Sequence, residues 1–85
     1  MGRDERLIYE ILQIIEENPY CSSSVITIKG YDNQSVLKHI MNICRENLII
    51  AEPAADESGE TENFMNMHLT LRGLLYLKKL DSISA

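Results

Sequence analysis

The chain has 85 residues, 45% of them apolar and 25% charged, which fits one small globular domain with a thin core, because a chain this short buries only about 60% of the surface its unfolded form exposes. Thirteen acidic against eight basic residues give a net charge of −5 and a pI of about 4.9; this argues against a broad nucleic-acid footprint and leaves room for a local basic face. Two cysteines make no disulfide framework, no signal-like segment opens the chain, and no apolar run approaches the roughly 20 residues that span a bilayer, so the expectation is a cytoplasmic protein with reduced thiols and no membrane partner.

In chain order, residues 4–17 read as a helix. Leu7, Ile8, Ile11, Leu12, Ile14 and Ile15 recur at spacings of three and four, Asp4 is the N-cap, and Asn18-Pro19 ends the run. Residues 20–24 are a polar connector. The β-branched "VITI", 25–28, predicts a short strand closed by Lys29-Gly30. A second helix is predicted over about 33–47, with Asp32 as N-cap. Projected at about 100° per residue, Leu37, Ile40, Met41 and Cys44 form its inner face and Ser35, Lys38, His39, Asn42, Arg45 and Glu46 its outer face, with Val36 and Ile43 at the margin.

"LIIAE", 48–52, reads as a strand, and "FMNMHL", 64–69, alternates with period two. Together they predict a β-hairpin. Between them lies "AEPAADESGETENF", with Glu52, Asp56, Glu57, Glu60 and Glu62 and no Lys or Arg. The loop is placed at about 53–63, with Gly59 near its tip. A third helix starts after Thr70, its N-cap, and runs to about residue 81. Leu74, Leu77 and Leu80 form one stripe with Tyr76 nearby; Leu71 and Leu75 lie on another. One stripe can face the core, and a second apolar stripe marks an interface with a second copy or another protein, with Leu71, Leu74, Leu75 and Lys78 as its residues. Residues 1–3 and 82–85 are read as flexible ends.

The order α-β-α-β-β-α predicts a single α+β domain over 1–85, a winged helix-turn-helix-like fold with its second helix shortened. Only the twelve residues 20–31 lie between the Asn18-Pro19 stop and the Asp32 cap, too few for a strand and a full extra helix.

Three blocks, "RDERLIYEILQIIEENP", "GYDNQSVLKHIMNICRENLI" and "LTLRGLLYL", carry a likeness to a known family. In that order they resemble the uncharacterised winged-helix proteins of bacterial genomes, phages and prophages known as domain of unknown function 2513. The blocks cover about half the chain. The resemblance implies the fold and carries over no activity. Asp32 stands where the family has Ser at the helix cap, and Asn33-Gln34-Ser35 replaces an acidic run; less negative charge there favours an anion or polar partner. Leu74 and Leu75 occupy places that are often polar in the family.

Two functions remain open on these residues. The first is a DNA-binding transcriptional regulator, of phage or prophage kind if the resemblance holds, acting as a homodimer on double-stranded DNA. Its contacts would be Lys29 and Lys38 to phosphate, Asn42 to adenine, Arg45 to guanine or phosphate, and Ser35 and His39 to phosphate. The same residues also suit a solvated helix face. The second is a protein-interaction module, through dimerisation or host-factor binding, in which the acidic loop receives a basic protein or imitates DNA charge. No enzyme is expected. "CSSS" has no nucleophile elbow, Gly30, Gly59 and Gly73 make no phosphate cradle, and His39, His68, Cys21 and Cys44 have no metal-ligand spacing, so neither cofactor nor metal is expected.

Overall fold

The computed structural model describes residues 4–55, 59 and 61–84. It is α+β, with three helices and a two-stranded antiparallel sheet. Helix α1 (Glu5–Glu17) begins where the Asp4 carboxylate accepts from the Leu7 amide at 3.1 Å. Its stripe of Leu7, Ile8, Ile11, Leu12 and Ile15 is fully buried and forms the centre of the core.

The strand expected over 25–28 does not form. Ser23–Val25 is a 3₁₀ turn, capped by the Ser22 hydroxyl, which accepts from the Ser24 amide at 3.1 Å. Two physical causes combine. Consecutive serines offer hydroxyls that satisfy local amides and compete with a ladder. The sheet edge that a strand here would need is met earlier, where Cys21 bridges Met67. Ile26 and Ile28 are nevertheless buried, while Val25 and Thr27 are exposed.

Helix α2 (Asn33–Arg45) has Asp32 as its N-cap, the carboxylate accepting from the Ser35 amide at 2.8 Å. It stops two residues short of the expected end. Asn47 takes a left-handed φ of 63°, the Leu48 amide donates to the Ile43 carbonyl and the Asn47 amide to that of Cys44, which is a Schellman closure. Its inner face is rotated from the expected one. Val36, Ile40 and Ile43 are buried, whereas Leu37, Met41 and Cys44 are only partly so. Both α1 and β1 pack on this helix, and Val36 and Ile43, which the projection placed on the margin, are buried.

Strands β1 (Ile49–Ala55) and β2 (Thr61–Leu69) pair antiparallel from Ile49–Leu69 to Ala55–Thr61, with irregularities between Ile50 and Glu52 and between Ala54 and Ala55. The hairpin therefore extends into the segment read as loop. Of its carboxylates, Asp56, Glu57 and Glu60 lie outside the described residues, as does the side chain of Glu62; Gly59, expected near the tip, is exposed with a φ of 90°. The buried Ser23 hydroxyl accepts from the Phe64 amide at 2.9 Å and fastens the 3₁₀ turn to β2.

Helix α3 (Leu71–Ser84) runs beyond the expected end at 81. Thr70 caps it. Its hydroxyl accepts from the Gly73 amide at 3.0 Å and donates to the Asn47 carbonyl at 2.5 Å. A Cβ on Gly73 would lie 1.8 Å from the Leu48 carbonyl oxygen, so only glycine lets α3 approach the start of β1. Leu77 faces the core. Tyr9 donates to Asp81 at 2.7 Å and Tyr76 donates to Glu5, tying α3 to α1.

Candidate nucleic-acid interface

The outer face of α2 is polar along its length. The 13-residue helix contains no Asp or Glu. Lys38, Asn42 and Arg45 are exposed at spacings of four and three, so their side chains follow one another along a single stripe. Gln34 is also exposed, four residues before Lys38, and extends the stripe toward the N-terminus. Gln34 was missed among the expected contacts, although its i, i+4 spacing from Lys38 is legible in the sequence.

Asp32 stands at the same end and bears on the field there. Its carboxyl is held below the usual carboxylate range, first by the Ser35 hydroxyl, then by the Ser35 amide, with the Lys38 ammonium adding to the effect. A carboxylate thus occupies the helix N-terminus and accepts from the Ser35 amide. The first turn of α2 holds no Asp or Glu, but the cap itself carries charge.

His39 is turned toward α1. Its Nε2 accepts from the Asp4 amide at 3.2 Å, which leaves the proton on Nδ1, and that N–H donates to the Ser35 carbonyl at 2.8 Å. Both ring nitrogens are therefore engaged, Nε2 in joining α2 to the start of α1 and Nδ1 within α2. Asp4 is the hub of this joint: it caps α1 and accepts from the Tyr31 hydroxyl at 2.6 Å. The Tyr31 bond is the main cause of a lowered Asp4 carboxyl, and the same bond raises the Tyr31 phenol. Sequence reasoning could not see this joint, because Asp4 and His39 are 35 residues apart.

Lys29 is exposed in the loop before α2, next to Gly30, which holds a φ of 92°. On the hairpin, exposed Glu52 accepts from the Asn66 side-chain amide at 2.7 Å. On α3, Leu71 and Leu75 are 73% and 59% exposed, Lys78 is exposed and Leu74 is half-buried. The stripe that faces outward is therefore Leu71–Leu75–Lys78, while Leu77 points inward. Ile83, read as part of a flexible end, adds a further exposed apolar group to the last turn of α3.

Among the described residues no three His, Cys, Asp or Glu side chains converge as a metal-binding group, and no helix is long and apolar enough to cross a membrane. A family model described as a hypothetical protein, DUF2513, matches residues 2–84. No curated protein and no solved structure matches the chain.

Proposed function

The chain belongs to the DUF2513 family, and on that premise we propose that it is a small non-enzymatic DNA-binding regulator that presents α2 to the major groove. The observation that carries this reading is the absence of Asp and Glu from the 13 residues of α2, between its caps Asp32 and Glu46, on a chain of net charge −5. Random placement of thirteen acids among 85 residues would put about two on a helix of this length. Lys38 supplies charge for phosphate, Asn42 the two-pronged amide that suits adenine, and Arg45 the fork that suits guanine or phosphate.

Element order supports a winged-helix reading. The Cys21–Met67 bridge stands in for a first strand, the 3₁₀ turn for the shortened helix, α2 for the recognition helix and the β1–β2 hairpin for the wing. A wing carrying Glu52 and its acidic neighbours in sequence repels phosphate. Binding then rests on α2, with Lys29 as an added phosphate contact, and is weak and steeply weakened by salt.

The test is a gel-shift titration against duplexes from around its own coding region at low salt. A shift abolished in the combined variant Lys38→Ala, Asn42→Ala, Arg45→Ala is the expected outcome. No shift with any duplex, from protein that is folded, would overturn the reading.

The exposure of Leu71 and Leu75 favours a second role, a protein contact through α3, in the first instance with a second copy. Sedimentation at high micromolar concentration should then give twice the 9.7 kDa chain mass. An acidic hairpin docking a basic protein is the remaining alternative if DNA binding fails.

A further inference from the structure

Exposed apolar groups gather around the end of β2. Tyr20 is 65% exposed, and its backbone is held at a left-handed φ of 66° where its amide donates to the Met67 carbonyl at 2.7 Å. Tyrosine rarely adopts that conformation, and here it lays the ring against the His68 imidazole, centroids 5.1 Å apart. Ile50, also exposed, is paired opposite His68, and cross-strand partners share a face of the sheet. Beside His68 an open groove of about 310 Å³ runs between the end of α1 and the start of α3. Pro19, Leu69 and Leu74 give it apolar walls. Glu16 stands on its α1 side, and Leu71 on its α3 side with most of its surface in solvent. Arg72 follows Leu71 and is exposed, as Glu16 is. Among the described residues neither of these two charged side chains has an ion-pair partner.

We propose that this patch is a self-complementary contact between two copies of the chain, in which Leu71 of each copy enters the groove of the other and Arg72 meets Glu16 of the partner subunit. It rests on the second-copy contact proposed for α3 and adds what α3 meets. A two-fold contact sets one patch against itself, so that patch must carry both a projecting group and the hollow that takes it, and both signs of charge. Leu71 and the groove are the first pair; Arg72 and Glu16 are the second. Each copy has a net charge of −5, so two copies repel unless opposite charges meet where they touch. A two-fold contact makes the Glu16–Arg72 pair twice and meets that need. Leu71 and the Tyr20 ring then lose water together, and Leu75, one turn on from Leu71, extends the dry contact along α3.

The test is sedimentation of two single variants, apart and mixed. Glu16→Arg alone sets like charges together at both pairs, and so does Arg72→Glu alone. Each should weaken self-association by about tenfold or more. Both side chains are exposed on helices, so each variant should keep the circular dichroism of the unaltered chain. Mixed in equal amounts, the two variants set opposite charges together at both pairs, and the mixed dimer should recover to within about threefold of the unaltered chain. A pair formed within one chain would give no such recovery. Failure to recover on mixing folded variants overturns the proposal, as does self-association that neither variant weakens. If Leu75→Glu still weakens the dimer in either case, the α3 contact stands and only its mate is wrong. An unaltered chain that stays monomeric at high micromolar concentration overturns both.

Discussion

Helices α2 and α3 are 13 and 14 residues long, and both pack against α1. Each starts on a side-chain cap. Their outward faces nevertheless differ in kind. Helix α2 shows Gln34, Lys38, Asn42 and Arg45 to solvent, groups that keep their hydration until a polar partner replaces it. Helix α3 shows Leu71, Leu75 and Ile83 among Arg72, Lys78 and Lys79, apolar groups whose exposure is relieved only by a dry contact. One small domain thus carries a polar outward helix face and a partly apolar one, and the two can be altered separately.

The largest effect tests whether α3 is placed as described. Gly73→Ala should destabilise the fold by about 3 kcal/mol in chemical denaturation, because the added methyl meets backbone at Leu48 that cannot rotate away. An alanine tolerated without loss would mean that α3 does not close on β1, and the outward stripe assigned to it would no longer hold. The matching experiment on α2 leaves the fold intact. The combined Lys38→Ala, Asn42→Ala, Arg45→Ala variant should lose about a hundredfold in duplex affinity while its stability changes by no more than about 0.5 kcal/mol. If affinity survives, DNA is bound elsewhere.

Leu75→Glu sharpens the contrast from the other side. Sedimentation should show self-association weakened about tenfold or more, with the fold retained, since the side chain is already 59% exposed. A variant that dimerises as before removes α3 from the interface. Together with the α2 variant it asks whether the two faces are independent or whether dimerisation sets the spacing of two α2 helices on DNA.

What the sequence made legible follows the range of the interaction. The caps at Asp4, Asp32 and Thr70 are local chemistry, and each caps its helix as expected. The stripe of α1 is legible for the same reason. "VITI" was misread because a strand is a statement about pairing, and its edge is met at Cys21. The inner face of α2 is rotated toward Val36 and Ile43, because periodicity cannot say from which sides α1 and β1 pack on the helix. His39 lay on the outer face by projection and is drawn toward α1 by the Asp4 amide, a contact no local pattern encodes. Of the candidate interface, Lys38, Asn42 and Arg45 were legible, while the engagement of Ser35 and His39 was not.

The caps supply two smaller tests. Thr70→Ala removes a hydroxyl that holds the Gly73 amide and the Asn47 carbonyl, and should cost about 1 kcal/mol at every pH. The cap of α2, in contrast, titrates. The Asp32 carboxyl is lowered in the folded chain by the Ser35 hydroxyl, so its stabilisation is complete above the ordinary carboxylate range and is lost as pH falls through the lowered folded value. The Asp4 carboxyl, lowered chiefly by Tyr31, follows the same sign at the start of α1. Hydrogen exchange at acid pH should therefore show the first turns of α1 and α2 opening, at the Leu7 and Ser35 amides, while the Gly73 amide under its neutral threonine stays protected. Equal loss at all three would mean that acid acts on the whole core. Asp32→Asn separates capping from charge: it retains an acceptor for the Ser35 amide, removes a carboxylate from the end of the Gln34–Lys38 stripe, and should tighten duplex binding if α2 is the face that meets DNA.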